Sequence, residues 1–344
     1  MASTIKDVAV LCGVSVATIS NVITGKKYVS PEVTEKVLEA MRRLDYQPNL
    51  IARSLKSRKT TNIGIIVPDI RNPFFADIVT GAESRSKEMG YQIFLCSTQG
   101  DIPSEEKALN SFISQNVAGI INVAPRLADK DLLAYGNDAV PMVVVDRPID
   151  VAGSKTLGCV CADNATGCRQ LAAHFIEMGH KRFACFTGPQ ETVPNAKTRL
   201  NSFCDHLFQS GFAKSDIVIC QGEFTFESGF YLMDKLLEKK DPPTAVFVAS
   251  DLMAWGALEC AKKHGVAIPA RIAIAGYDNV YISSFVSPAL TTVDHPKYEA
   301  GVLAFTMLMD ILSSGKDVTR AINLNSALVV RGSTLRGFSR VRTA

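Results

Sequence analysis

The apolar and polar positions of the chain follow three successive patterns. Up to about residue 47, apolar residues recur at helical spacing, and residues 48–61 are basic with a few apolar positions. From residue 62 onward, near-continuous runs of Val, Ile and Phe alternate with amphipathic segments. Such runs predict strands that are buried on both faces of a parallel sheet, and the amphipathic segments predict helices. The pattern therefore predicts a helical domain over 1–47, a linker over 48–61 and an α/β core over 62–344.

The core contains about eight predicted strand–helix repeats. Strands are predicted at 63–68, 91–97, 119–124, 142–146, 183–188, 217–221, 245–250 and 272–277, and Cys159 and Cys161 alternate along a further one. Helices are predicted at 73–89, 104–115, 165–178, 195–210, 227–239 and 253–264. Eight repeats are too many for one small sheet, so they favour two doubly wound parallel-sheet lobes. A closed eight-stranded barrel is the alternative topology.

The N-terminal residues predict two short helices joined by a tight turn. Thr4 can cap the first helix, which Gly13 ends, and Ser15 can cap the second. The apolar face of the first helix carries Ile5, Val8, Ala9 and Cys12. A third helix begins after Ser30 and runs to about Leu44, with a stripe of Val33, Val37, Met41 and Leu44 that can close a three-helix core.

The second helix has the features of a DNA-recognition helix. Its predicted buried face is Ala17, Thr18, Val22 and Ile23, and its outer face shows Val16, Ala17, Ser20 and Asn21. A short convex helix of this kind fits the major groove, where Asn21 can pair with adenine and Val16 and Ala17 can contact a thymine methyl. An ordinary core hairpin is the alternative, but its exposed face would be apolar rather than small and polar.

The linker has a composition suited to DNA. Arg53 and Lys56 can contact phosphates in the minor groove, and Leu55 can act as an apolar wedge between base steps. The alternative is a solvated linker between domains.

The charge of the chain is unevenly distributed. The formal net charge is +3, but residues 1–60 contain 10 Lys and Arg against 5 Asp and Glu, which leaves the remainder slightly acidic. A basic small domain attached to a near-neutral large one suits a protein that binds nucleic acid through phosphates.

The composition gives no indication of a metal, a cofactor or a membrane segment. The nine cysteines lie mostly in apolar runs without Cys-x-x-Cys spacing, which favours buried free thiols in a reducing compartment. The sequence has no apolar run of ~18 residues and no apolar signal stretch, so we expect a cytoplasmic protein.

Polar and aromatic residues follow the predicted strands, where ligands bind in doubly wound sheets. These stretches are 69–75, 146–147, 190–199, 223–226, 250–251, 278–279 and 294–295. They are rich in Asp, Arg, Asn and Phe. Carboxylates and guanidinium groups bind vicinal hydroxyls, and aromatic rings stack on sugar rings, so the set favours a sugar ligand.

The chain resembles the LacI family of bacterial transcription regulators over nearly its whole length. The motifs that carry the resemblance are TIKDVA from Thr4, GVSVATIS from Gly13, IARSLK from Ile51, NPFF from Asn72, and GYDN from Gly276 followed by PALTT from Pro288. Each motif alone is a weak signal, but together they are strong.

The resemblance implies a homodimer that binds a palindromic operator, with paired hinge helices that insert leucines into its central step. The residues expected to contact DNA are Thr4, Ser15, Val16, Ala17, Thr18, Ser20, Asn21, Arg53, Leu55 and Lys56. A core like that of periplasmic sugar-binding proteins is implied, with lobe 1 over about 62–161 and 291–322, and lobe 2 over about 162–290 and 323–340. On DNA, the protein is expected at the nucleoid.

The resemblance also places an effector between the lobes. The residues expected in this cleft are Asn72, Phe74, Phe75, Asp146, Arg147, Arg199, Phe224, Ser250, Asp278 and His295. Purine-binding relatives usually have Trp where Arg147 stands and Arg where Thr192 stands, so a sugar or sugar derivative is expected. A purine or phosphorylated corepressor is the alternative. Residues 332–344 lack a leucine heptad, which favours a dimer over a tetramer.

Two other classes of protein share parts of this pattern. An enzyme is disfavoured because the sequence lacks Gly-x-Ser-x-Gly, Walker and His-Glu-x-x-His motifs. A periplasmic solute-binding protein is disfavoured by the basic N-terminal module and the lack of a signal stretch.

Overall fold

The computed structural model describes residues 3–24, 27–46, 60–138, 140–314 and 320–335. The chain forms two compact units, Met1–Thr60 and Thr61–Ala344.

Within its described residues, the first unit contains three helices around a small apolar core. They are α1 (Ile5–Cys12), α2 (Val16–Thr24) and α3 (Pro31–Arg43). The core contains Val8, Ala9, Cys12, Ile19, Val37 and Ala40. The predicted apolar faces of α1 and α3 are confirmed. The predicted buried face of α2 is wrong in part: Ile19 is fully buried whereas Ala17 is exposed, because helical geometry turns Ala17 to the side away from α1 and α3.

The second unit contains twelve strands and eight helices within the described residues. The strands are β1 (Asn62–Val67), β2 (Gln92–Ser97), β3 (Gly119–Val123), β4 (Met142–Val145), β5 (Leu157–Ala162), β6 (Phe183–Thr187), β7 (Ile217–Gln221), β8 (Ala245–Val248), β9 (Ala273–Ala275), β10 (Thr292–Asp294), β11 (Ala321–Leu324) and β12 (Ala327–Val329). The helices are α4 (Pro73–Glu88), α5 (Ile102–Ser114), α6 (Asp129–Asp138), α7 (Asn164–Glu177), α8 (Pro194–Gln209), α9 (Phe226–Leu237), α10 (Asp251–Lys263) and α11 (Lys297–Ser314).

The strands form two open parallel sheets, which confirms the predicted fold class and excludes the barrel. The first sheet has the order β11-β5-β4-β3-β1-β2, and the second has the order β7-β6-β8-β9. All neighbouring strands in both sheets are parallel, whereas β10 and β12 form a small antiparallel pair. Apolar side chains cover both faces of each sheet, as the continuous apolar runs predicted.

The C-terminal part of the chain crosses back to the first sheet later than about residue 291. Isolated bridges join Thr291 to Ala275 and Asp294 to Asp278, so this stretch lies beside the second sheet. Only then do α11 and β11 join the first sheet, where β11 pairs with β5. The carboxyl ends of the two sheets face a common cleft, which positions the site described next.

Candidate functional site

A cavity of about 600 Å³ lies between the two sheets. Its wall combines residues that follow strands of the first sheet with residues that follow strands of the second. They are Pro68, Asp69, Arg71, Asn72, Phe74, Phe75, Gln99, Gly100, Ala124, Arg126, Asp146, Val193, Asn195, Arg199, Glu223, Phe224, Thr225, Phe226, Glu227, Ser250, Leu252 and Asp278. The volume suits a small ligand, and the position is the one that ligands occupy in doubly wound sheets.

The backbone of the cavity wall is strained at four strand ends. Gln99, Ala124, Asp146 and Asp278 have φ angles of 55°, 47°, 56° and 111°. Residues other than glycine rarely adopt positive φ, and such strain persists where the surrounding structure holds it, often at ligand sites. These left-handed turns present the strand-end side chains to the cavity.

Arg199 is the central cation of the cavity floor. Its Nε donates to Asn164 Oδ1 at 2.7 Å, and its Nη1 donates to the Ala249 carbonyl at 2.8 Å and to Asp278 Oδ1 at 3.3 Å. The guanidinium carbon lies 3.8 Å from the centroid of the Tyr277 ring. These contacts fix the guanidinium of a side chain that is only 4% exposed.

Asp146 joins the first lobe to the second. Asn195 Nδ2 donates both to the Asp146 carbonyl at 2.7 Å and to its Oδ1 at 2.8 Å. Burial raises the pKa of Asp146 to about 6 and that of Asp278 to about 7, against the opposing charge of Arg199. Burial thus disfavours the charged form of both carboxyl groups.

Each of the three arginines in the cavity wall already forms an ion pair. Arg71 Nη2 lies 2.8 Å from Asp69 Oδ2, Arg126 Nη2 lies 3.6 Å from Glu223 Oε2, and Arg199 Nη1 lies 3.3 Å from Asp278 Oδ1. Since Asp146 and Glu227 also line the cavity, carboxyl groups outnumber guanidinium groups there. The cavity thus suits a neutral, hydroxyl-rich ligand better than an anion.

The structure places eight of the ten predicted effector-binding residues in the cavity wall. They are Asn72, Phe74, Phe75, Asp146, Arg199, Phe224, Ser250 and Asp278. Two of them also cap helices: the Asn72 side chain accepts from the Phe74 N–H at 3.0 Å, and Ser250 Oγ accepts from the Met253 N–H at 3.3 Å. The same side chains thus hold the helices that begin at the cavity.

The predicted cleft position of Arg147 is wrong. Its guanidinium donates to the carbonyls of Pro125 and Leu127 and pairs with Asp129, all within the first lobe. The positive φ of Asp146 turns the chain, so Asp146 points into the cavity and its neighbour points away.

His295 also lies outside the cavity wall, behind it. Its ring packs edge-on against Phe74 with centroids 4.9 Å apart, and its Nε2 lies 3.6 Å from Asp146 Oδ1. Burial holds the pKa of His295 well below its usual value, so the ring is neutral. The structure therefore places His295 against two residues of the wall, and its contact with a ligand stays a prediction.

Several polar residues of the wall were not predicted individually, and Arg126, Asn195 and Glu223 are three of them. Arg126 follows β3, and the stretches expected to bind a ligand did not include the carboxyl end of this strand. The same rule, applied to β3, predicts Arg126. Buried Glu105 holds its loop by accepting from the Arg126 N–H at 2.8 Å. Asn195 and Glu223 lie within the stretches 190–199 and 223–226, but neither residue was singled out.

The N-terminal unit has the geometry of a helix-turn-helix. The axes of α1 and α2 differ in direction by 105°. Thr4 Oγ1 accepts from the Asp7 N–H and the Asp7 carboxylate accepts from the Thr4 N–H, which forms a capping box. Gly13 has φ 63°, and Ser15 Oγ accepts from the Thr18 N–H at 3.1 Å. The predicted caps and turn are confirmed.

The outer face of α2 is available to a partner. Ser15, Val16, Ala17 and Ser20 are exposed, as is Thr4 on α1. Thr18 and Asn21 are half-buried at the edge of this face. Arg53, Leu55 and Lys56 lie outside the described residues.

Among the described helices, no single one is long and apolar enough to cross a membrane, and only the bent pair α1 and α2 would reach the required length together.

Comparisons with known proteins agree along the chain. Residues 4–49 match the model for bacterial regulatory proteins of the lacI family, and residues 172–334 match the periplasmic binding protein-like domain. The HTH-type transcriptional repressor CytR of Escherichia coli (strain K12) is 33% identical over 333 residues, which cover 97% of this chain and 96% of that protein.

Solved structures show the same fold. The lac repressor dimer bound to operator and the anti-inducer ONPF superposes with a TM-score of 0.86 at 27% identity, covering 97% of this chain and 100% of that one. A complex of the transcriptional regulator CelR with cellobiose has a TM-score of 0.70 at 30% identity, covering 96% and 99%. The chain therefore belongs to the lacI family of bacterial regulatory proteins and is a DNA-binding transcriptional regulator rather than an enzyme.

Proposed function

We propose that the protein is a repressor whose affinity for a palindromic operator is changed by a neutral sugar bound between the two lobes of its core. The observation that carries the choice of a neutral sugar is the ion pairing of Arg71, Arg126 and Arg199 within the cavity. Because each guanidinium already has a carboxylate partner, a bound phosphate would share its cation with a carboxylate. A neutral polyol can instead hydrogen-bond to both members of each pair.

The roles of individual cleft residues follow from their positions. Asp146, Asp278 and Arg199 offer fixed polar atoms at the floor, where a sugar can present adjacent hydroxyl groups. Phe75 and Phe224 line the cavity and can stack on the C–H faces of a sugar ring. The cellobiose complex of CelR shows that this family fold accommodates a sugar in a relative.

The purine or phosphorylated corepressor is the weaker alternative for this chain. A purine base is neutral, and it is disfavoured because Arg147 and Thr192 stand where purine-binding relatives usually have Trp and Arg. A phosphorylated compound would instead add negative charge to a wall in which carboxyl groups already outnumber guanidinium groups. Taking a charged group from water without a free partner carries a large cost.

The DNA-binding role is assigned to 1–47, the hinge role to 48–61, and the effector-binding and dimerisation roles to 62–344. On α2, Val16, Ala17 and Ser20 are exposed and are proposed to face base edges in the major groove. Thr4, Ser15, Thr18 and Asn21 are proposed to support phosphate and base contacts beside them. Arg53, Leu55 and Lys56 are proposed to act in the minor groove of an operator bound by a homodimer. We place this activity in the bacterial cytoplasm, at the nucleoid when the protein is bound to DNA.

The ligand class can be tested with matched compounds on the full chain. Thermal unfolding is followed with neutral mono- and disaccharides, the 6-phosphate of each monosaccharide, and purine bases. A neutral sugar is expected to raise the unfolding temperature, since a ligand that binds only the native state stabilises it, and its phosphate is expected to bind about tenfold or more weakly.

Variants connect the response to the cavity. Asp278→Asn and Phe224→Ala are expected to weaken the response to the sugar, whereas Phe208→Ala, an exposed residue outside the cavity wall, leaves it unchanged. Stabilisation only by phosphates or purines would overturn the proposed ligand class. An unchanged response in both cavity variants would place the ligand elsewhere.

A further inference from the structure

Away from the cleft, three side chains of different chemistry converge on the second lobe. A carboxylate oxygen of Asp234, the thiol sulfur of Cys260 and an imidazole nitrogen of His264 all lie within 4.8 Å of one another. His264 Nε2 lies 2.7 Å from Asp234 Oδ1. Asp234 belongs to α9, and Cys260 and His264 belong to the last turn and C-cap of α10.

The spacing of these residues explains their convergence. Cys260 and His264 are four residues apart, so their side chains lie one turn apart on the same face of α10. A pair of ligands at this spacing on one helix is a recurrent way of holding a metal ion. Asp234 completes the group from the neighbouring helix.

The two helices are held in close contact by glycines. A Cβ atom at Gly229 would lie 1.9 Å from the Met253 carbonyl oxygen, and one at Gly256 would lie 1.9 Å from the Phe226 carbonyl oxygen. Only glycine permits this backbone approach. The helices that carry Asp234 and Cys260 are therefore in backbone contact with each other.

We propose that Asp234, Cys260 and His264 form a Zn²⁺ site, with water as the fourth ligand. Sulfur, imidazole nitrogen and carboxylate oxygen are the donors that Zn²⁺ takes in proteins. Tetrahedral Zn²⁺ with bonds of about 2.0–2.3 Å places its ligand atoms about 3.3–3.6 Å apart. The present separations are 2.7 Å between Asp234 and His264 and at most 4.8 Å among all three atoms, a range that includes this spacing.

The exposure of the three side chains suits a metal site at the protein surface in which one ligand, Cys260, is buried. The side chains of His264 and Asp234 are 45% and 38% exposed, so an ion can enter from solvent. Cys260 is fully buried beneath them. Binding would release the thiol proton to solvent and replace the hydrogen bond between Asp234 and His264 with two bonds to the metal.

The site would join two helices that begin at the cavity. The first residues of α9 include Phe226 and Glu227, and α10 follows Ser250 and contains Leu252, all of which line the cavity wall. A metal at the opposite ends of these helices would tie them together without occupying the cavity. The inference is therefore independent of the proposed effector.

The site can be tested with Zn²⁺ and Co²⁺ on the untagged, chelator-treated full chain. One Zn²⁺ per chain is expected to bind saturably and to raise the unfolding temperature by about 3 °C or more at large excess over Kd, reversed by chelator. Co²⁺ is expected to give the near-ultraviolet absorption of a thiolate bond, and Cys260→Ser removes it.

The variants separate a metal site from a purely structural cluster. His264→Asn and Asp234→Asn are expected to lower Zn²⁺ affinity at least tenfold while preserving the unfolding temperature of the metal-free protein within about 2 °C. His206→Asn, a half-buried histidine on α8, serves as the matched control and binds Zn²⁺ like the wild type. The proposal is overturned if no saturable binding occurs, if the Co²⁺ band survives Cys260→Ser, or if His264→Asn binds Zn²⁺ unchanged. His264→Asn and Asp234→Asn replace partly exposed residues, so they test the site even where Cys260→Ser fails to fold.

Discussion

At the scale of single residues, the structure predicts a large effect of Arg199 on stability. Replacing it by Met leaves Asp278 buried without its cation, and it removes the donors to Asn164 and to the Ala249 carbonyl. Breaking a buried pair from one side costs about 3–5 kcal/mol, so Arg199→Met should lower the free energy of unfolding by that amount. Urea unfolding monitored by fluorescence of the single tryptophan, Trp255, measures it.

The matched control is the exposed arginine of the same cavity. Arg71 is 82% exposed and pairs with Asp69, so its attraction is screened by water. Arg71→Met should change the free energy of unfolding by at most about 1 kcal/mol. If Arg199→Met and Arg71→Met lowered the free energy of unfolding equally, the buried hydrogen bonds of Arg199 would contribute no more to stability than the exposed ion pair of Arg71.

A second prediction at this scale concerns pH. Burial raises the pKa of Asp146 from 3.8 to about 6, so the native state binds a proton more tightly than the unfolded chain does. Protonation of Asp146 therefore stabilises the native state. This contribution is complete below the pKa of 3.8 in the unfolded chain and is lost as the pH rises through the native pKa of about 6. Compared with Asp146→Asn, the wild type should therefore lose about 2–3 kcal/mol between pH 4 and 7.

Asp69 supplies a comparison of opposite sign. The hydrogen bond from Arg71 lowers the pKa of Asp69, so its contribution is present above the unfolded pKa of 3.8 and is lost as the pH falls. Free energies of unfolding for Asp146→Asn and Asp69→Asn should thus deviate from the wild type in opposite directions with pH. If the free energies of unfolding of the wild type and of Asp146→Asn changed in parallel from pH 4 to 7, the raised pKa of Asp146 would be contradicted.

The sequence predicted residues of the site where a simple rule applied. Ligand-facing residues follow parallel strands, and this rule selected Asp146, Arg199 and Asp278. It missed Arg126 only because the end of β3 was left out. It could not separate Asp146 from Arg147, since the choice between two adjacent side chains depends on the positive φ of Asp146. Backbone conformation of that kind follows from tertiary packing and not from the local pattern.

Among the secondary-structure elements, the contact between α4 and α11 predicts that replacing a helical glycine by alanine destabilises the protein instead of stabilising it. Alanine in a helix normally stabilises relative to glycine by about 1 kcal/mol. At Gly301, however, a Cβ atom would lie 2.0 Å from the Ile78 carbonyl oxygen and 2.9 Å from the Ala82 nitrogen. Gly301→Ala should force the helices apart and lower the free energy of unfolding by about 2 kcal/mol or more.

Gly136 in α6 is the corresponding control. The nearest atom to its added Cβ is Leu157 Cδ1 at 3.1 Å, which belongs to a side chain that can move. Gly136→Ala should therefore stay within about 1 kcal/mol of the wild type in urea unfolding. A neutral or stabilising Gly301→Ala would show that α4 and α11 are not in backbone contact in solution.

The elements that the sequence predicted are those with a simple periodicity. β1–β4 and β6–β9 matched the predicted runs with ends that differ by at most two residues. Most of these strands are buried on both faces and are therefore apolar throughout, whereas β2 and β7 lie at sheet edges and are partly exposed. The helix α11 was not predicted, since it packs against α4 and three strands and is apolar on several sides. The short strands β10–β12 were also missed, because three or four residues carry little pattern.

At the scale of the whole core, polar contacts join the lobes across the cavity, and two of them differ in burial. Asn195 reaches Asp146, and Arg126 reaches Glu223. The first contact is buried, whereas the second is partly exposed and contributes little. A ligand in the cavity touches both sides of this junction, so it can favour one arrangement of the lobes over another. Such differential binding is what links an effector to a distant DNA site.

This linkage requires the two ligands to affect each other equally. If a sugar changes operator affinity by a factor of about 5–150, bound operator must change sugar affinity by the same factor, because the coupling is one free energy. Calorimetric titration of the full chain with the sugar, alone and with saturating operator duplex, gives one factor, and operator binding with and without saturating sugar gives the other. Asp278→Asn should retain operator affinity and lose both effects. The contradicting result would be that the sugar alters operator affinity while operator DNA leaves the affinity for sugar in the cavity unchanged. The sugar would then act outside the cavity between the lobes.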